Sequence, residues 1–169
     1  MGAAGVALGA FAPGCTGVSD PTGGEGAPAL SGSAAAPTRP TVVFCPSHRF
    51  DYTTIVEPLP AGVAVTITVA DPDDASSLDD LRSMVRYLVH ASATLADPTE
   101  ALRAHAGVTG DKNNNCPIVM KDTVVTSTLV DGGVRVSVAA KSSDAPVIAE
   151  LQATANRHLE TIKAMRALK

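Results

Sequence analysis

Two cysteines stand 71 positions apart in matching contexts, Cys45-Pro-Ser-His48 and Cys116-Pro-Ile-Val-Met120. Three chemistries are open to them. The first is a bond between Cys45 and Cys116, closing a loop long enough to contribute about 4 kcal/mol by restricting the unfolded chain. The second is a soft-metal site. Thiolate, imidazole and thioether from Cys45, His48, Cys116 and Met120 suit copper(I), and thiolate with imidazole suits zinc. The third is a Cys45–His48 dyad acting as a nucleophile, the reading of a thiol-dependent enzyme. No further residue is identifiable as orienter for that dyad, and the catalytic residue set is expected to be empty. Elsewhere Asp71, Asp73 and Asp74 lack the glycine and distal glutamate of a calcium loop. They read as acidic residues leading into a helix. No nucleophile elbow, phosphate loop or dinucleotide fingerprint occurs.

The elements that must position these residues come in two copies. With Cys45 laid on Cys116, Pro46 falls on Pro117, Gly62 on Gly133, and Val63, Val65 and Ile67 on Val134, Val136 and Val138. Asp73 falls on Asp144 at the same spacing. Each unit reads strand, turn, strand, helix. In the first, Tyr52–Glu57 is extended, 58–62 is a turn, and Val63, Val65, Ile67 and Val69 alternate with smaller residues. In the second, Thr123–Val130 is rich in β-branched residues and Asp131-Gly132-Gly133 signals a hairpin. The expected fold is α+β: a two-layer sandwich with a four-stranded antiparallel sheet and both helices on one face. An approximate two-fold relating the units brings equivalent positions near its axis together, which is why Cys45 and Cys116 are paired here.

Helix signals are clear. Ser76 or Ser77 serves as a cap with Asp79 or Asp80 completing a capping box, and Leu78, Leu81, Val85, Leu88 and Leu95 form the buried stripe with Met84 at its flank. Ser143 or Asp144 caps the last helix, Pro146 sits in its first turn, and Ile148, Leu151, Ala155, Leu159 and Ile162 face inward. His158 falls on that apolar stripe and reads as a hydrogen-bonded core histidine. A short helix over 97–105, capped by Asp97, joins the units, followed by an exposed loop over 107–115.

The first forty residues are a different polymer. They hold nine of the 14 glycines and five of the 12 prolines, with only Asp20, Glu25 and Arg39 charged. Too few large apolar side chains are present to offset the entropy of ordering such a chain. Residues 16–40 read as a Gly/Pro/Ala tether. Before it, MGAAGVALGAFAPGC is small and apolar and closes on Cys15. This stretch resembles the end of a bacterial lipoprotein signal peptide, with Gly14 and Cys15 matching the box while Ala12 and Pro13 depart from it. The resemblance implies export and lipidation of Cys15, hence a membrane partner through the lipid anchor. The organisation expected is therefore a signal-like segment 1–15, a tether 16–40 and one domain 41–169. Within that domain repeat 1 covers about 41–95, a connector about 96–115 and repeat 2 about 116–169.

Composition narrows the function. The net charge is −4, which disfavours a nucleic-acid partner, since displacing counterions needs a basic face. Only five residues are aromatic (two Tyr, three Phe, no Trp), so the core is aliphatic. The expected protein is an exported, membrane-tethered binding or structural module of the cell envelope or periplasm, without catalytic activity and without a cofactor. A protein docking on the polar sheet face is its expected partner. The alternative is an envelope copper or zinc binder using Cys45, His48, Cys116 and Met120.

Overall fold

The computed structural model describes residues 45–99 and 116–168. The signal-like segment with Cys15, the tether, most of the 97–105 helix and the 107–115 loop lie outside these residues. A short helical turn at Pro46–His48 precedes β1 (Tyr52–Leu59) and β2 (Gly62–Val69), followed by α1 (Ala75–Thr94). After Cys116–Asp122 come β3 (Thr123–Val130), β4 (Gly133–Ala140) and α2 (Ala145–Ala167). The strands form one antiparallel sheet in the order β1-β2-β4-β3, so the second strand of each unit is central. Both helices pack on it, as two strand-strand-helix units require.

Alternation decides which face they cover. Val63, Val65, Ile67, Val134, Val136 and Val138 point to the helices and are at most 1% exposed. Thr66, Thr68, Arg135 and Ser137 point the other way and stay partly accessible. There Arg135 bridges Glu57 two strands away, at 2.6 Å. The helices are exchanged between units: α1 packs mainly on β3 and β4, α2 mainly on β2 and β1. Gln152 of α2 donates to the carbonyls of Leu59 and Gly62 at 2.9 and 3.1 Å, and Arg166 donates to those of Ser47 and Arg49 at 3.0 and 2.7 Å. Neither unit covers its own strands alone.

The symmetry axis can be located from the register. Val65 pairs with Val136, its own counterpart 71 positions on, so the axis passes between them. Cys45 and Cys116 are bonded to each other with Cα atoms 5.5 Å apart and the same separation of 71, so the axis passes through the disulfide as well. The two sulfur-bearing residues are 4% and 0% exposed. Close approach of the central strands demands glycine twice. A Cβ on Gly62 would lie 2.0 Å from the Val138 carbonyl oxygen, and one on Gly133 would lie 2.1 Å from that of Ile67.

Four local expectations need correction. β1 runs on through Pro58 to Leu59, and the turn is only Pro60–Ala61. Pro58 is tolerated because it faces Val63 in a non-hydrogen-bonded position of an edge strand, where its missing N–H would have pointed outward. The cap of α1 is Asp74, not Ser76 or Ser77. Its carboxylate accepts from both serine amides at 3.1 Å and from the Ser77 hydroxyl at 2.7 Å, which holds it below the usual carboxylate range. The stripe of α1 is Leu81, Met84, Val85, Leu88 and Ala91, while Leu78 is half-buried and Leu95 lies past the helix end at 41% exposed. Finally, Asp74 and Asp144 are the equivalent caps, so the repeat spacing drops from 71 in the strands to 70 in the helices.

Gly62→Ala and Gly133→Ala are each expected to lower unfolding free energy by about 2–3 kcal/mol, since backbone rather than a flexible side chain must yield. Urea unfolding of the single variants checks this, and an unchanged midpoint would show that the β2–β4 spacing is soft. Reducing the disulfide, or replacing both cysteines by alanine, is expected to cost about 4 kcal/mol. Because both sulfurs are shielded, thiol reductant should act at the rate of unfolding, a dependence readable from reduction kinetics across a urea series.

Candidate functional site

The duplication supplies an internal comparison that exposes the candidate site. At the start of unit 1, the space between β1, β2 and α1 is filled. Tyr52, Val69, Met84 and Leu88, from these three elements, all belong to the buried core, between 1% and 7% exposed. The Tyr52 hydroxyl donates to the Ser77 carbonyl at 3.0 Å, tying strand to helix start. Burial raises the pKa of that phenol. Arg49 lies over the Tyr52 ring at 4.7 Å and pairs with Asp51, a contact that also pulls the Asp51 carboxyl below its ordinary range.

At the matching place in unit 2 every one of these four positions is smaller or more polar. Thr123 stands for Tyr52 and Ala140 for Val69 at the strand spacing; Thr154 stands for Met84 and His158 for Leu88 at the helix spacing. A groove of about 570 Å³ opens there between α2 and the start of β3, within the size range of small-molecule sites. Val119, Met120, Val147 and Leu151 give it aliphatic walls, and Lys121, Asp122 and Glu150 stand among its polar lining. Among the described residues the His158 imidazole is the one aromatic ring in its lining, and no Phe, Tyr or Trp is present there.

Local structure explains how the groove is held. Thr123 donates to the Met120 carbonyl at 2.7 Å, bending the chain into β3. Asp122 takes φ +57°, a left-handed conformation that aspartate tolerates better than most residues, and its carbonyl accepts from Lys141 at 3.0 Å. Glu150 accepts from Thr154 and Arg157 at 3.1 and 2.8 Å, which lowers its pKa and leaves Glu150 already engaged along α2. His158 is half-buried. Burial lowers its pKa, while a backbone hydrogen bond with Cys116 acts in the opposite direction and Arg157 and His48 add repulsion. The imidazole is thus biased to its neutral form beside the disulfide.

The residues singled out in the sequence fall as follows. Cys45 and Cys116 are joined, so while the bond is intact neither sulfur is a thiolate, for a metal or as a nucleophile. The copper or zinc site and the Cys45–His48 dyad therefore belong only to a reduced chain. Met120 is buried, 6% exposed, against the groove, and His48 is partly buried near His158. Among the described residues no three of His, Cys, Asp and Glu gather as metal ligands. His158 has the backbone hydrogen bond expected of it, to Cys116, but it is half-buried at the groove rather than in the core, and its Nδ1 is buried without a partner among the described residues. The groove is not legible in the sequence, because the one-residue shift between the repeats conceals the substitution of His158 for Leu88. Among the described residues no helix is long and apolar enough to cross a membrane. No known protein family, curated protein or solved structure matches the chain.

His158 makes a testable pH dependence. Its folded pKa lies below the unfolded value near 6.5, so the unfolded chain takes up the proton first as pH falls. Stability is complete above that value and is lost progressively on acidification below it. His158→Leu, which copies Leu88, should therefore flatten the dependence of Tm on pH between 7 and 5. The depressed carboxylates do not interfere, since their unfolded values lie at 3.8 to 4.5. Equal slopes for the two proteins would remove His158 from the account.

Proposed function

We propose that the protein is an exported, membrane-tethered cell-envelope module without catalytic activity, in which unit 1 is structural and unit 2 binds a ligand through the groove beside His158. The observation that carries the reading is the replacement of Tyr52, Val69, Met84 and Leu88 by Thr123, Ala140, Thr154 and His158. Among the described residues the same scaffold is plugged once and open once. A plug lost by drift would be an expensive vacancy in a core this poor in aromatics, so an open counterpart points to use.

The walls suggest the ligand class. Aliphatic and thioether side chains, with no Phe, Tyr or Trp among the described lining residues, suit a hydrocarbon chain better than a nucleobase or an aromatic metabolite. The polar lining carries both signs, through Lys121 against Asp122 and Glu150, and suits the head of an amphiphile better than a bare ion. Export is supported by the disulfide, a bond that persists in oxidising compartments, and by the signal-like segment ending at Cys15. Lipidation of Cys15 would anchor the domain to a membrane, where such amphiphiles reside.

The test is titration of the full chain with cis-parinaric acid, whose unbranched polyene chain reports burial by fluorescence. Saturable binding near one molecule per chain is expected. Thr123→Tyr should weaken it at least tenfold, because the new ring fills the groove as Tyr52 does in unit 1. Thr123→Ser, which keeps the groove open, should bind like the parent. An absence of saturable binding by the parent, or equal binding by Thr123→Tyr, would return the module to a purely structural role.

A further inference from the structure

The sheet has two edges, β1 and β3, and the duplication again sets one against the other. The hairpin-closing pairs Leu59–Gly62 and Val130–Gly133 fix the alternation along each edge strand. In β1, residues 52, 54, 56 and 58 turn their backbone groups outward; in β3, residues 123, 125, 127 and 129 do so. β1 is guarded: Pro58 has no N–H to offer at one of its four outward positions, and Glu57 beside it adds charge. The helical turn at Pro46–His48 also packs beside β1. Its duplicate keeps an equivalent turn, in which the Val119 amide donates to the Cys116 carbonyl at 3.3 Å, but has neither the proline nor the charge. Leu129 stands where Pro58 was and Thr128 where Glu57 was, and the whole of β3 reads TVVTSTLV, with no charge and no proline. Among the described residues no strand pairs with the outer side of β3. Val124, on that edge, is 52% exposed.

We infer that the β3 edge is a self-association surface, on which β3 of a second copy of this chain pairs antiparallel to make one continuous eight-stranded sheet. A second copy fits better than a foreign strand for a reason of symmetry. Two-fold pairing sets each side chain against the same few residues of its twin, so a strand bearing charge repels itself, and β3 bears none. Centring the pair on Thr126 sets Val125 opposite Ser127 of the twin and Thr123 opposite Leu129 of the twin. In that register all four outward-facing residues of each strand find partners. On the open face Thr126 meets its own copy, and Val124 meets Thr128. Both edges that would otherwise template uncontrolled pairing are then accounted for, one blocked by sequence and one closed by the twin.

The experiment is sedimentation equilibrium of the full chain, with variants chosen from equivalent positions. Thr126→Lys puts two ammonium groups opposite each other across the proposed axis. Ile55→Lys makes the same change at the counterpart on β1 and serves as the control. The parent and Ile55→Lys should be dimers at tens of micromolar, and Thr126→Lys should raise the dimer dissociation constant at least tenfold. Mixing Thr126→Lys with Thr126→Glu should restore a dimer of the two, which a merely misfolded variant cannot do. A parent that stays monomeric at several hundred micromolar overturns the inference. So does a dimer that survives Thr126→Lys, or one lost equally in Ile55→Lys.

Discussion

Everything in this domain hangs on the antiparallel contact between β2 and β4 about a pseudo-two-fold axis. Two glycines set how closely the strands approach, and Val65 against Val136 marks where the axis crosses the sheet. The disulfide lies on the same axis. Sheet hydrogen bonds and a covalent bond thus fasten the two units at two separate points along one line. Rotation of one unit against the other about any perpendicular direction is resisted by both. Because α1 packs mainly on β3 and β4, and α2 on β2 and β1, separating the units would also strip both helices from their sheets.

Duplication gives each unit a partner that can carry the shared structural work, and the two have diverged accordingly. Unit 1 holds the tight packing: Tyr52 fixed to the start of α1, Arg49 on its ring, Pro58 sealing its edge. Unit 2 keeps the same backbone plan but gives up bulk inside and protection outside. Both changes fall at positions whose twins are filled or blocked. The positions that stay alike in both units mark what the fold needs.

Much of the fold was legible because its signals are local and periodic. Alternating valines placed β2 and β4, Asp131-Gly132 placed a hairpin, and the matching contexts of Cys45 and Cys116 brought the two together, with a bond as one of three chemistries. What was hidden depended on three dimensions. Pro58 reads as a strand breaker until its edge position is known. Asp74 is concealed as a cap by the serines that follow it, although its carboxylate reaches both of their amides. The order of strands needed the central pair, which no turn signal encodes. The groove needed a spacing of 70 in the helices against 71 in the strands, and only then do Met84 and Leu88 fall opposite Thr154 and His158.

Energetics tie the axis to the groove. Large-to-small changes in a packed core cost about 2–5 kcal/mol each when the surroundings cannot collapse into the space. In unit 2 collapse is hindered by the covalent bond itself: Cys116 begins the Cys116–Asp122 segment that walls the groove, and the His158 ring that lines it is hydrogen-bonded to the Cys116 backbone. The entropy removed from the unfolded chain by closing a loop of this length, about 4 kcal/mol, is of the order needed to offset one such vacancy. An aliphatic domain of modest size has little other reserve, since typical net stabilities are only ~5–15 kcal/mol. The disulfide on the axis thus fixes the start of the segment that walls the groove.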